Sequence, residues 1–186
     1  MPSLTGQLLI AMPQMEDPRF ARSVVYLFAH GEETGAMGII INKPIENMAA
    51  DELYAHLKIE APVAKAAAEP VYFGGPVGTD LGFVLHDAAW REAGTVAIDD
   101  DFALTATLDM LRAMARGFGP ARRILALGYA GWAPLQLEDE IKANGWLVVA
   151  ADPALVFETD DAGKWSRALG KLGVKPEMLS GGVGRA

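Results

Sequence analysis

Three apolar segments in the first third of the chain constrain its fold most strongly. Residues 7–11, 24–30 and 37–42 are rich in Val, Ile, Leu and Tyr, which favour strands, and turn-prone residues separate them. Residues 31–35, Gly-Glu-Glu-Thr-Gly, have the composition of a hairpin loop. Asp17 is placed to cap a short helical turn, with Pro18 at its first position. This spacing predicts neighbouring antiparallel strands.

The rest of the chain carries a mixture of strand and helix patterns. Further strands are predicted at residues 71–73, 83–86, 95–98, 123–129 and 146–151. Helices are predicted at residues 47–57 with Asn47 as N-cap, at 99–115 opened by three aspartates, from about 134 to 145, and at 163–172. Residues 61–69 read as a connection and 180–186 as a loose tail. Without an internal repeat, residues 1–186 are expected to form one domain that mixes helices and strands.

The composition excludes several kinds of site. The chain has 186 residues, 51% of them hydrophobic, which is enough to bury a packed core. It contains no Cys, so disulfides, zinc–thiolate sites, iron–sulfur clusters and thiol nucleophiles are excluded. No apolar window approaches the length of a membrane span, and the N-terminus lacks the basic start of a signal peptide. We therefore expect a cytoplasmic protein without membrane association.

The charge balance bears on possible partners. The formal net charge is −8 and the isoelectric point is near 4.8, with basic residues scattered along the chain. DNA binding depends on clustered Lys and Arg that neutralise phosphates. Direct DNA binding is therefore not expected, and the partner is predicted to be a protein or a small molecule.

Two segments could bind an anion. Asn42 and Lys43 follow an apolar strand, where side chains emerge at the sheet edge, but Pro44 equally fits a simple turn, which we favour. Residues 74–80, Gly-Gly-Pro-Val-Gly-Thr-Asp, could expose N–H groups to a phosphate. They lack the Gly-Lys-Ser/Thr ending of a P-loop, so a tight strand connection is the favoured interpretation.

The remaining candidates are a histidine and a strand–turn–helix segment. His86 is the best acid/base candidate because Asp87 could orient its imidazole, although lone histidines usually make structural hydrogen bonds. Polar and aromatic groups also converge at one helix start; the candidate ligand-binding residues there are Tyr129, Trp132, Gln136 and Glu140. Structural roles compete here too, since Glu138 and Lys142 have the spacing of a helical ion pair. The three histidines lack metal-site spacing, and no cofactor or metal is expected.

Several segments, in this order, resemble the AlgH/YqgE family of bacterial proteins. They are residues 8–13 (LLIAMP), 17–20 (DPxF), 23–27 (SVVYL), 35–44 (GAMGIIINKP), 74–77 (GGPV), 82–86 (GFVLH), 128–132 (GYAGW), 136–138 (QLE) and 144–146 (NxW). One departure is Leu135, which stands where a Gly or another small residue is common. The resemblance implies an α+β fold in which a bifurcated, largely antiparallel sheet curls into a pseudo-barrel surrounded by helices.

The resemblance implies little about chemistry. The family is usually labelled uncharacterised, or a transcriptional regulator by association with regulatory phenotypes, and it supplies no catalytic residue to transfer. Together with the absence of a catalytic motif, this favours a non-enzymatic regulatory or adaptor protein that affects gene expression indirectly. The alternative is a metabolite-binding protein or enzyme whose pocket is formed by Asn42, Lys43, His86 and residues 129–140. That alternative requires these segments to meet around one open cleft.

Overall fold

A computed structural model describes residues 1–179, and within that range it contains ten strands and seven helices. The strands are β1 Gln7–Ala11, β2 Val24–Gly31, β3 Gly35–Ile40, β4 Pro44–Ala49, β5 Pro70–Phe73, β6 Val77–Asp87, β7 Val96–Ala97, β8 Phe102–Thr105, β9 Arg123–Trp132 and β10 Trp146–Ala150. The helices are α1 Ala50–His56, α2 Ala64–Ala67, α3 Leu108–Ala115, α4 Gln136–Lys142, α5 Pro153–Glu158, α6 Asp161–Lys171 and α7 Pro176–Leu179. The predicted tail, residues 180–186, lies outside the described residues.

The strands form one sheet that forks along β9. Its order is β10-β1-β2-β3-β9-β6-β8-β7, and β5 joins β9 as the one parallel pair recorded between these strands, with β4 on its outer side. The early part of β9 pairs with β5 and β6, whereas residues 130–132 pair with β3. The sheet curls into a half-barrel with the helices around it, so the predicted α+β fold is confirmed.

Glycines permit the close crossing of backbones at the fork. A Cβ atom on Gly75 would lie 2.1 Å from the carbonyl carbon of Tyr129, and one on Gly128 would lie 2.4 Å from the Gly75 oxygen. Gly128 also has a φ of 75°, which glycine adopts without steric cost. Gly74 and Gly75 are buried against this crossing, which fits the tight strand connection rather than a loop open to phosphate.

The core is built from strand residues on both sides of the sheet. Its first cluster surrounds Tyr26, Ile39, Leu85 and Phe102. Leu155 of α5 and Trp165 of α6 close it. A second group of buried side chains lies under α1 and α3, and a third lies under α4. No helix among residues 1–179 is long and apolar enough to cross a bilayer.

Two predicted helix starts are wrong. Asn47 does not cap α1: it lies in β4 with a left-handed φ of 57°, and Ala49 is the N-cap. The three aspartates at 99–101 do not open a helix either, because residues 102–105 pair with β6 as strand β8. Helix α3 begins after Thr107, whose hydroxyl oxygen accepts a hydrogen bond from the Met110 N–H. Cross-strand pairing therefore outweighs the helical spacing of Leu104.

Most other elements agree with the sequence predictions within a few residues. The three early strands and the 31–35 hairpin loop are present, as is a turn in which the Asp17 carboxylate accepts from the Arg19 N–H. β6 begins at Val77, six residues earlier than predicted, and the connection at 61–69 contains the short helix α2.

Candidate functional site

A cleft of about 450 Å³ lies between the 15–20 segment, the start of β6, the end of β9 and α4. We call it the aromatic cleft and define it by Phe20, Trp132, Gln136, Glu140 and Trp146, which are among its lining residues. Its volume falls within the usual range for small-molecule sites. The strand–turn–helix candidates Trp132, Gln136 and Glu140 therefore do meet at one open cleft.

The Glu140 carboxylate is held by three neutral N–H donors. The indole N–H groups of Trp132 and Trp146 donate to its Oε2 at 2.9 and 2.8 Å, and the Gln136 amide donates to Oε1 at 2.9 Å. Gln136 is itself fixed because its Oε1 accepts from the Ala133 N–H. A carboxylate offers about four acceptor positions, so one on Oε1 has no partner among residues 1–179. Within residues 1–179, no lysine or arginine forms an ion pair with Glu140.

Aromatic rings surround this carboxylate. The rings of Trp132 and Trp146 meet edge to face with centroids 5.9 Å apart, and Phe20 meets Trp146 in the same way at 6.0 Å. The Arg19 guanidinium already lies 5.7 Å from the Phe20 ring centroid, at cation–π distance. The cleft thus combines a fixed negative charge with ring systems that attract cations.

One wall of the cleft carries an exposed ion pair. Arg19 donates to both carboxylate oxygens of Asp17, and these hydrogen bonds lower the Asp17 pKa. Because the pair is neutral overall, the charge of Glu140 is not compensated by the described residues that line the cleft.

Asn42 and Lys43 make hydrogen bonds to backbone groups near the same wall. The Asn42 side chain accepts from the Val24 N–H and donates to the Arg22 carbonyl, and Lys43 donates to the Pro18 carbonyl at 3.3 Å. Burial lowers the Lys43 pKa, and the nearby Asp17 charge opposes that effect. Neither residue is among those lining the cleft.

His86 lies away from the cleft and is wholly buried. Its Nδ1 lies 2.8 Å from the Asp87 carbonyl, which can only accept, so Nδ1 carries a proton; in the neutral imidazole, Nε2 then accepts from the Thr105 hydroxyl at 2.8 Å. The Thr105 oxygen then accepts from Thr95, whose own oxygen accepts from the Glu92 N–H. The Asp87 carboxylate does not orient the imidazole, contrary to the sequence interpretation.

The required convergence of all candidates is not found. His86 pairs with Arg123 at the start of β9, whereas Trp132 ends that strand nine residues later, up to about 30 Å away along a straight strand. Tyr129 packs edge to face on Phe83, at 5.9 Å, beside the first core cluster.

A buried hydrogen bond between His30 and Glu138 holds α4 against the hairpin. His30 Nδ1 accepts from the Leu4 N–H, so Nε2 carries the proton and donates to Glu138 at 2.8 Å. Both side chains are almost fully buried. The predicted Glu138–Lys142 pair is therefore wrong, and Lys142 instead contacts Asp139.

Sequence reasoning missed the residues that complete the cleft, namely Arg19, Phe20 and Trp146. Trp146 reaches it through long-range pairing, because β1 aligns Ala11 with Trp146 of β10. The family motifs DPxF and NxW contain Phe20 and Trp146 and were the available signal. No group of three or more His, Asp or Glu side chains in the described part of the chain is placed to hold a metal ion.

Comparison with known proteins places this geometry in a family. A family model described as AlgH-like matches residues 8–177. A UPF0301 protein of Rhodospirillum rubrum is 51% identical over 183 residues, covering 98% of this chain and 94% of its own length. The solution structure of the AlgH protein from Pseudomonas aeruginosa is similar with a TM-score of 0.81 and 41% identity, covering 99% of this chain and 96% of that one. An X-ray structure of a Corynebacterium diphtheriae protein is similar with a TM-score of 0.69 and 26% identity, covering 90% of this chain and 87% of that one.

Proposed function

Since the chain belongs to the AlgH-like family, we propose that it is a non-enzymatic regulatory or adaptor protein that acts by binding a cationic group in the aromatic cleft. The cation is an ammonium or guanidinium group of a small ligand or of a partner protein. The proposed setting is the cytoplasm, and the effect on gene expression is indirect.

The Glu140 carboxylate carries this proposal. Its three donors are neutral, so its charge is not compensated, and its free acceptor position lies on the oxygen that also accepts from Gln136. A hydrogen bond to a charged group contributes about 1.5–3 kcal/mol, more than a neutral one. The neighbouring rings add a cation–π attraction of about 0.5–2 kcal/mol.

The overall charge supports a cationic rather than a nucleic-acid partner. A net charge of −8 favours association with cations and disfavours contact with a phosphate backbone. A salt-sensitive, sub-micromolar complex with DNA would contradict this part of the proposal.

The catalytic alternative receives no support from the positions of its candidate residues. His86 has both ring nitrogens engaged inside the core, and Asn42 and Lys43 are used by backbone carbonyls and an N–H group. An acid/base group must reach a substrate proton within hydrogen-bond distance, so the fully buried His86 would first have to give up its hydrogen bonds.

Tryptophan fluorescence tests the cleft directly, because Trp132 and Trp146 both donate to Glu140. The probes are hexylammonium, hexanol and hexanoate, which share a chain and differ in charge. We expect saturable fluorescence changes with hexylammonium only, and at least about tenfold weaker binding in Glu140→Gln, which corresponds to about 1.4 kcal/mol.

Asp139→Asn is the matched control, since it removes the same charge from the same helix at a side chain that is 74% exposed. It should bind hexylammonium as the unmodified protein does. Thermal unfolding checks that both variants fold. Equal binding by Glu140→Gln, or preferential binding of hexanoate, would show that Glu140 does not select a cation.

A further inference from the structure

A second depression, of about 810 Å³, lies between α1, α3 and the first half of β6. We call it the edge groove and define it by residues 79–83, Glu52, Leu53, Leu108 and Leu111. None of its lining residues belongs to the aromatic cleft. The inference drawn from it is therefore independent of the proposed function.

The edge of a strand, rather than one face, borders this groove. Residues 79–83 all line it: residues 78–81 bulge out of the pairing between β6 and β9, and Gly82 and Phe83 return to that pairing. Gly82 has no side chain to cover its backbone, and a Cβ atom placed there would meet nothing within 4 Å. The main chain of β6 is therefore open to the groove.

That edge lacks a partner strand among the described residues. β8 pairs with β6 only at residues 84–87, while β9 pairs with the opposite side at Val77 and at residues 82–86. Gly82 and Phe83 thus have a strand on one side only. Alternate residues of an antiparallel strand direct their N–H and C=O groups to the same side, so this edge presents unused donors and acceptors.

Apolar and acidic side chains complete the groove. Leu53, Leu111 and Phe83 form part of its floor, while Leu81 and Leu108 at its lips remain 49% and 48% exposed. The charged lining residues, apart from His56, are the acids Glu52 and Asp80, and the lining contains no Lys or Arg.

We propose that the edge groove binds an extended segment of a partner protein, which adds to β6 as a further β-strand. Apolar side chains on one face of that segment pack on the leucines, and Lys or Arg side chains meet Glu52 and Asp80. A helical segment satisfies its own backbone groups and would leave the β6 edge unpaired. A second copy of this chain would bring a like net charge of −8 to an acidic rim.

The test uses an eight-residue capped peptide that alternates valine and lysine. Two further peptides carry N-methyl groups on one or the other alternate set of backbone nitrogens, which removes the N–H groups of that set. Amide hydrogen exchange measured by NMR should slow at residues 80–83 when the unmethylated peptide binds. Methylation of the set that faces β6 should abolish binding, whereas methylation of the other set should preserve it.

Charge variants locate the site. Asp80→Lys should weaken peptide binding at least fivefold, whereas Asp139→Lys, an identical charge change on a distant exposed side chain, should weaken it less than twofold. Glu52→Lys replaces the first variant if thermal unfolding shows that Asp80→Lys is misfolded. Equal binding of all three peptides, protection outside residues 80–83, or equal effects of the two aspartate variants would overturn the proposal. Binding of the aromatic-cleft probe is unaffected by these outcomes, so the two proposals fail separately.

Discussion

Replacing Thr105 by Val should destabilise the protein through His86. The hydroxyl of Thr105 donates to His86 Nε2 and accepts from Thr95, both at 2.8 Å, and Thr105 and His86 are both fully buried. Valine keeps the shape of threonine but removes this central link. His86 Nε2 then remains buried without a donor, because Nδ1 already carries the proton for the Asp87 carbonyl.

The size of the effect follows from burial. An unsatisfied buried acceptor costs about 1–3 kcal/mol, so we expect the free energy of unfolding to fall by about 2 kcal/mol. For a protein of this length, that corresponds to a decrease in Tm of about 4–8 °C. Thr95→Val is the control: Thr95 is only partly buried, water can replace its hydroxyl, and a loss of about 0.5–1 kcal/mol is expected.

Urea unfolding followed by circular dichroism at pH 7 measures both variants. A double-mutant cycle with His86→Leu adds a second criterion, because the double variant no longer contains the orphaned imidazole nitrogen and should be less destabilised than the sum of the single changes. A loss below about 0.5 kcal/mol for Thr105→Val, or one equal to that of Thr95→Val, would refute the directional hydrogen-bond chain.

Three further changes test other parts of the fold. Burial raises the pKa of Tyr54 to about 12, so the stability that its protonated phenol contributes is complete below pH 10 and is lost as pH rises through about 12. In urea unfolding at pH 8 and 11, Tyr54→Phe should therefore lose less unfolding free energy at the higher pH than the unmodified protein does. An equal loss in the two proteins would contradict this. Leu135 has a left-handed φ of 65°, which strains a residue with a Cβ, and its side chain is 53% exposed. Leu135→Gly should therefore stabilise the protein by about 0.5–1 kcal/mol in thermal unfolding. Destabilisation would argue against backbone strain at this position. Gly75→Ala should abolish stable folding because its Cβ would overlap Tyr129. Gly82→Ala, where the Cβ meets nothing within 4 Å, should change Tm by less than about 2 °C. Similar Tm values for the two variants would contradict the packing at the fork.

Local patterns predicted the strands well where neighbours in sequence are neighbours in space. β2 and β3 pair directly across the 31–35 loop, so apolar composition and turn residues contain most of the necessary information. The same approach failed at residues 99–105, where aspartates and Leu104 fit a helix start. There Leu104 pairs with Leu85 of β6 and with Val96 of β7, and these tertiary contacts decide the outcome.

The candidate site was predicted in part for the same reason. Trp132, Gln136 and Glu140 lie within nine residues of one another, and their convergence follows from a strand, a turn and one helix. Trp146 reaches Glu140 only because β10 pairs with β1, and Glu138 reaches His30 across 108 positions. No local spacing encodes those contacts.

Each proposed site lies where a strand is no longer paired with its neighbour in the described sheet. β6 leaves β9 at Val77, and beyond that point the residues Gly131 and Trp132 of β9 line the aromatic cleft. β8 reaches β6 only as far as Val84, and the uncovered stretch before it borders the edge groove. A strand edge exposes unpaired backbone groups and interrupts the packing of the side chains above it. A crevice can therefore form at such an edge. The aromatic cleft therefore follows from the fork of the sheet along β9, whereas the edge groove follows from the short reach of β8 along β6.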